Sequence, residues 1–495
     1  MDKILYSCLV ITFVIKLSLA TFCTIRNDDN CYYTVSCDEP GRINIVPYCS
    51  ATDPFITLVL KESPVTTVTA NYFITKFDPH VKILKAVDNK WDAVQDYAFS
   101  NFKNALYVDL SDNQIKTIGK AFVGLEHIDS LNLSRNHLEE IKTEVTMWSE
   151  KVNRLSLLDL SYNLLTFLAD DFFVSIYNLR FLYLQGNKLI ILEDLFSANL
   201  QNLKYLNLCC SNYAMLNITW NNFNNLKDLD LSFNKLNTTD DLKIKSLESI
   251  ILSHNNFENV MDINFEQFPH LQLLDLSYNR LKEIPRSVSP QNPDGTEPLI
   301  KIHLNNNNIS YINETAFINF NYIDILNLSG NGIREIRNGT FRHVQMLKEL
   351  DLSNCGLKLT NETFLGLDNT EVIEISRNNL TSLDPNIFKY CKEIQSIFAS
   401  FNYIRSVDIT MFQKLVPSLT RINVQGNPMD MMNRKDLTNM KAKSNGLLLQ
   451  VAFNSIHLIT EILCAVVLVI LFLLLGAMII SMYVRVRQRF SNARL

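Results

Sequence analysis

Asparagine returns along this chain at a nearly fixed interval, each time behind the same apolar frame. Residues 131–138 read LNLSRNHL, 157–165 read LLDLSYNLL, 182–189 read LYLQGNKL, 229–236 read LDLSFNKL and 326–333 read LNLSGNGI. The slot after each apolar-x-apolar-x-x frame holds Ser63, Asn89, Asn113, Asn136, Asn163, Asn187, Ser211, Asn234, Asn255, Asn279, Asn307, Asn331, Cys355, Asn378, Asn402 and Asn427. Neighbouring slots lie 21 to 28 residues apart. A period in that range, kept over so many copies, marks a chain built by stacking one supersecondary unit on the next.

Each conserved position of the unit has a physical reason. In an extended L-x-L segment alternate side chains face opposite ways, so both leucines point into the coil. The residues between them face outward. The chain must then turn, and an Asn amide can bond the backbone groups that the turn leaves unpaired. Ser63, Ser211 and Cys355 are weaker substitutes. A second apolar anchor follows the slot, as at Ile115, Leu138 and Leu165. Most units then supply an aromatic: Phe99, Phe122, Phe172, Phe196, Phe223, Phe317, Phe341, Phe364, Phe388 and Phe412. No unit buries its apolar face alone, so stability comes from neighbour stacking. This is the leucine-rich repeat pattern. The expected fold is an α/β leucine-rich repeat solenoid, or horseshoe. It has a parallel concave sheet of about 16 strands, an irregular or 3-10 convex side, and one transmembrane helix outside the repeats.

The ends of the chain set its expected topology. Lys3 precedes an apolar run to Leu19, and Ser18-Leu19-Ala20 places small residues before a cut, so residues 1–20 read as a secretory signal peptide. Residues 462–482 carry no charge and are long enough to cross a bilayer as a helix. Arg485, Arg487, Arg489 and Arg494 follow, with no acid beside them, which places residues 483–495 in the cytoplasm. Between these ends we expect a Cys-rich cap at 21–52, repeats over 53–430 and a juxtamembrane segment at 431–461. The expected location is the plasma membrane, with the ectodomain outside. The chain carries a net charge of −5, and the four tail arginines leave −9 on residues 1–483. An acidic ectodomain argues against nucleic acid as a partner.

Cys23, Cys31, Cys37 and Cys49 crowd ahead of the first repeat. Four cysteines in an extracellular segment suggest two disulfides with three connectivities, capping the open end of the stack. Cys355 fills an Asn slot, and Cys391 follows a spine Phe, so both read as buried thiols. Cys209-Cys210 follows an L-x-L strand near the concave side. Two outcomes stand for it: inert thiols or a strained vicinal pair, or an interchain disulfide joining a homo- or heterodimer. Metal ligands at useful spacing are missing.

The outward slot between the strand leucines is acidic at Asp109, Asp159, Asp230, Asp275, Asp351 and Glu374, with Tyr183 and Tyr205 nearby. Aromatics beside charges on a rigid sheet suit protein binding. The plainer reading is that LDLS is the commonest spelling of this repeat. Sequons at Asn217, Asn237, Asn308, Asn313, Asn338, Asn361 and Asn379 fit an extracellular glycoprotein. Those at Asn132 and Asn327 lie inside strands, where a glycan would crowd the concave face; they are either empty or masking. Residues 285–298, with four prolines, read as an exposed loop. The sequence holds no phosphate loop, HExxH, GxSxG or CxxC motif, so no catalytic residue, cofactor or metal is expected.

The LDLSYNLL and LDLSYNRL repeats, the Phe positions and the N-terminal cysteines resemble the extracellular leucine-rich repeat superfamily. Within it the chain is most similar to insect ectodomains: the transmembrane class of mosquito leucine-rich immune proteins, then Toll-type and tartan/capricious-type proteins. The resemblance implies recognition of a protein ligand or co-receptor at the cell surface, in immunity or in adhesion and guidance. The chain departs from those families in lacking a C-terminal cysteine cap after Asn427-Pro428, a coiled coil and an intracellular Toll-type domain, which implies action with a partner.

Overall fold

The computed structural model describes residues 23–29, 32–37, 55–61, 63, 65–69, 72–73, 80–141, 154–169, 172–190, 200–216, 218–220, 223–259, 267–284, 300–318, 320–429 and 448–450. The chain forms two compact units, Met1–Asn331 and Gly332–Leu495.

The first unit opens on an antiparallel pair, Cys23–Asp29 with Tyr32–Cys37, whose register sets Cys23 opposite Cys37. Tyr32–Cys37 then pairs in parallel with Phe55–Leu60. From there one parallel ladder passes through Val81–Lys85, Tyr107–Asp109, Ser130–Asn132, Leu157–Asp159, Phe181–Tyr183, Tyr205–Asn207, Asp228–Asp230, Ser249–Ile251, Leu273–Asp275, Lys301–His303 and Ile325–Asn327. The second unit continues the pattern within itself: Glu349–Asp351, Val372–Glu374, Ser396–Phe398, Arg421–Asn423 and Leu448–Gln450. Every Asn slot read from the sequence follows one of these strands.

The L-x-L logic is visible in the burial. The middle residue of the three-residue strands from Tyr107 to Asn423 is inside, as with Leu131, Leu158 and Leu182, while the flanking residues are mostly half exposed. Each such side chain contributes about 1.5–3 kcal/mol by leaving water. The slot asparagines are buried and work as expected. Asn136 donates through Nδ2 to the carbonyls of Leu133 and Ser134 in its own turn and of Leu110 in the preceding one, at 2.9–3.2 Å. Its Oδ1 accepts the amide of Ile115 at 3.0 Å. Cys355 and Ser211 keep less of this. The Ser211 hydroxyl reaches only its own turn, at the Cys209 carbonyl.

On the convex side Phe99 and Phe122 stack at 5.4 Å and 7°. In the second unit Phe364, Phe388 and Phe412 follow one another at 5.4 and 6.0 Å. Short 3-10 helices, Val174–Ile176 and Pro385–Phe388, match the expected convex side. One turn there is a true α-helix, Ile409–Leu415, where the Asp408 side chain caps the amide of Met411.

The expected signal peptide, Cys31, Cys49, Asn217, the proline-rich loop at 285–298 and the span at 462–482 with its tail lie outside the described residues. Among the described residues no helix is long and apolar enough to cross a membrane.

Candidate protein-binding surface

Register alignment turns the outward strand residues into two columns. In the first unit one column runs Leu157, Phe181, Tyr205, Asp228, and the other Asp159, Tyr183, Asn207, Asp230. Four of the expected site residues, Asp159, Tyr183, Tyr205 and Asp230, therefore fall on consecutive strands. Asp109 sits two strands before Asp159, and Asp275 two after Asp230. In the second unit Asp351 lies beside Glu374.

The acids have a structural task. Asp159 Oδ1 accepts the amide of Ser161, two residues on, at 2.9 Å, and Asp275 does the same for Ser277 and Asp351 for Ser353. Asp109 and Asp230 each take both the amide and hydroxyl of the following serine. Glu374 reaches Ser376. Neutral Asn132, Asn207, Asn327 and Asn423 hold the same bond. Where the slot carries an acceptor oxygen, that oxygen ends the strand and the charge is incidental to the task, whereas Tyr183, Ile251, His303 and Phe398 hold the same column without one. Burial pushes the Asp159 carboxyl up, against the hydrogen bonds of Ser161, with the charge of Asp109 adding. Burial likewise raises Glu374, with Asp351 adding.

These facts predict opposite outcomes for two substitutions. Asp159→Ala removes the acceptor and costs on the order of 1 kcal/mol. Asp159→Asn keeps it and removes a half-buried charge, so stability at neutral pH stays level or rises. The sign of the pH effect follows from the raised carboxyl. A group that ionises less readily when folded stabilises most in its protonated form, and that contribution is lost as pH rises from the ordinary carboxylate value through the raised one. Urea midpoints at pH 4 and pH 7 test this. A loss in Asp159→Asn equal to that in Asp159→Ala would show that the charge matters.

Phe181 is the exposed member of this surface, while Tyr183 and Tyr205 are half-buried like the acids beside them. Tyr183 and Tyr205 meet at 5.1 Å, beside Phe181, which is 37% exposed. The Asn207 amide donates to both the Tyr205 hydroxyl and the Asp230 carboxylate, at 3.2 Å each, fixing that corner. Burial, with the Asp230 charge against the Asn207 hydrogen bond, pushes the Tyr205 phenol up to about 12, so it is a neutral donor across the biological range.

A second stripe escaped the sequence reading. The residue just before each Asn slot adopts a left-handed conformation, with φ near +50 to +75° from Asp88 through Tyr162, Cys210, Phe233 and Tyr278 to Asn306, and again at Asn354, Arg377 and Phe401. Its amide bonds the next turn, as Tyr162 does to Gln185 and Phe233 to Ser253. That ladder brings successive side chains into contact. Phe233, His254 and Tyr278 stack in parallel at 4.0 and 4.2 Å, and Arg135 lies over Tyr162. Gly186 takes its turn in the stripe because any Cβ there would meet the Tyr162 ring at 2.6 Å. Its residue types, from Asp and Arg to Phe and Gly, vary too widely to mark it in the sequence.

The sequons at Asn237, Asn308, Asn313, Asn338, Asn361 and Asn379 are all exposed. Asn132 and Asn327 are half-buried and bound to Ser134 and Ser329. Among the described residues no cluster of His, Cys, Asp or Glu is placed to hold a metal.

A family model described as leucine rich repeat matches residues 79–138, 245–291 and 297–357. Tsukushi of Gallus gallus is 31% identical over 305 residues, covering 59% of this chain and 66% of that protein. Toll-like receptor 9 of Mus musculus is 26% identical over 213 residues, covering 41% of this chain and 18% of the receptor. Among solved structures, Toll-like receptor 13 in complex with a single-stranded RNA superposes with a TM-score of 0.57 at 20% identity, covering 81% of this chain and 67% of that one. At that identity the structure establishes the fold alone. The chain carries leucine-rich repeats and is similar to extracellular members of that superfamily. It spans just under two thirds of Tsukushi and about a fifth of the receptor. These relatives do not select the insect class within the superfamily.

Proposed function

We propose that this is a cell-surface receptor-like protein that binds a protein ligand or co-receptor in innate immune recognition. The observation that carries the reading is the aromatic patch Phe181, Tyr183 and Tyr205, held on two consecutive strands of a rigid sheet. Large side chains with few rotatable bonds, fixed before contact, lose little entropy on binding. The likeness to Toll-like receptor 9 supports the immune setting. The charge-free stretch at 462–482 with its following arginines supports a single membrane span, and the six exposed sequons support glycosylation. Metal, cofactor and nucleic acid have no part in this reading.

The test is capture of partners from cells displaying the full chain, with wild type beside Tyr183→Ala/Tyr205→Ala. The double variant should weaken binding by roughly 30-fold or more, the scale of a buried aromatic anchor. Asp230→Asn, which keeps the acceptor oxygen, should bind like wild type. Equal recovery by the tyrosine variant would move the site elsewhere. Aggregation of displaying cells with one another, without any soluble or co-receptor partner, would favour adhesion over immune recognition.

A further inference from the structure

The Cys209-Cys210 pair belongs to the same turn as Tyr205 but has no part in the binding surface above. Its two sulfurs differ sharply in setting. Cys209 is buried and Cys210 is exposed, yet their Sγ atoms lie 2.7 Å apart, against about 2.0 Å in a disulfide bond. The backbone beneath them is pinned. The Cys209 amide donates to Asn207 Oδ1, and the Cys210 amide donates to the Ser232 carbonyl. The Cys209 carbonyl accepts from Gly186 and from the Ser211 hydroxyl. Cys210 takes its place in the left-handed stripe at φ +60°, next to Gly186, over which the Tyr162 ring lies. The slot residue of this turn is Ser211, so the usual Asn is missing where the pair occurs.

We propose that Cys209 and Cys210 form a thiol–disulfide exchange site that closes to an intrachain vicinal disulfide by reaction with a low-mass disulfide such as oxidised glutathione. Cys210 is the thiol that solvent reaches. Its thiolate attacks one sulfur of the external disulfide, forming a mixed disulfide and releasing the first small thiolate, which takes up a proton. Cys209 then loses its proton and attacks Cys210 Sγ, closing the ring and releasing the second small thiolate. Two protein thiols are oxidised by two electrons, and one external disulfide is reduced to two thiols. Closure is intramolecular between neighbouring side chains, which favours it over capture of a second chain. Adjacent Cα atoms stand about 3.8 Å apart, below the usual range for bridged cysteines, so the bond is also readily reopened. Burial, then the hydrogen bond with Cys210 and the charge of Asp230, pushes the Cys209 thiol up, which suits the resolving rather than the attacking role.

The experiment uses the full chain from secretory-pathway expression, treated with oxidised glutathione, alkylated without reduction and digested. The peptide carrying residues 209 and 210 should be two hydrogens lighter than its reduced form and should carry no alkyl group. Mild reductant should restore both alkylation sites. In Cys209→Ser the resolving thiol is gone, so Cys210 should retain glutathione as a stable mixed disulfide. The proposal is overturned if the wild-type peptide is alkylated at Cys210 after oxidant, is found linked to another chain, or keeps glutathione as fully as Cys209→Ser does. The wild-type mass alone decides the matter if the variant fails to fold.

Discussion

Replacing Asn163 with alanine should lower the stability of the first unit by roughly 3–4 kcal/mol. The side chain is buried, and its Nδ2 donates to Leu133, Leu160 and Ser161 carbonyls at 3.0–3.2 Å, while Oδ1 accepts the Leu138 amide at 3.1 Å. These bonds are not equivalent. The Leu133 carbonyl also accepts from Asn136, and the Leu160 carbonyl from Asn187, so each keeps one partner in the variant. The Leu138 amide has no such reserve. Most of the cost is therefore one buried, unpaired N–H, about 1–3 kcal/mol, with smaller losses at the shared carbonyls. Ser211→Ala gives the internal comparison. That hydroxyl holds a single carbonyl, so its loss should cost about 1 kcal/mol. Urea unfolding of both variants measures the difference, and hydrogen exchange at Leu138 locates it. If Asn163→Ala and Ser211→Ala lost the same stability, the asparagine ladder would be a sequence habit rather than a structural bond system.

The ladder was legible in the sequence because its constraints act on identity. Only Asn reaches its own turn and the preceding turn together, and only a large ring fills the Phe99–Phe122 position. The convex helix Ile409–Leu415 was less legible, since it depends on one cap, Asp408, at the end of an otherwise ordinary repeat. The left-handed stripe was illegible for a different reason. That position restricts φ and faces solvent, so it accepts Asp, Arg, Tyr, Phe, His and Gly alike. Nothing in residue type betrays it until the structure stacks Phe233 on His254 and Tyr278. The concave acids carried two readings in the sequence, a charged site and the ordinary spelling of the repeat. Asp159 and Asp230 each give Oδ1 to the following serine, Ser161 and Ser232, in the role Asn132 fills without charge. The proposed recognition surface rests on Tyr183 and Tyr205, which no repeat rule requires.

Phe99→Ala should be among the most damaging single substitutions in the first unit, at about 3–5 kcal/mol. Phe99 is fully buried and touches three other rings: Phe73 at 5.6 Å, Phe102 at 6.4 Å and Phe122 at 5.4 Å. Removing it takes away the transfer energy of the ring and leaves a cavity that these rigid neighbours cannot easily fill. Each aromatic pair adds roughly 0.5–1.5 kcal/mol beyond area burial, so Phe99→Leu should recover part of the loss but not the ring contacts. Because stacked repeats support their neighbours first, the damage should spread by distance along the ladder. Exchange should quicken most in the strands Val81–Lys85, Tyr107–Asp109 and Ser130–Asn132, and least in Lys301–His303 of the same unit. Uniform acceleration across the unit would mean that it unfolds as a single block. In that case the Phe99 ring would report on global stability, and the nearest-neighbour account of the stack would fail.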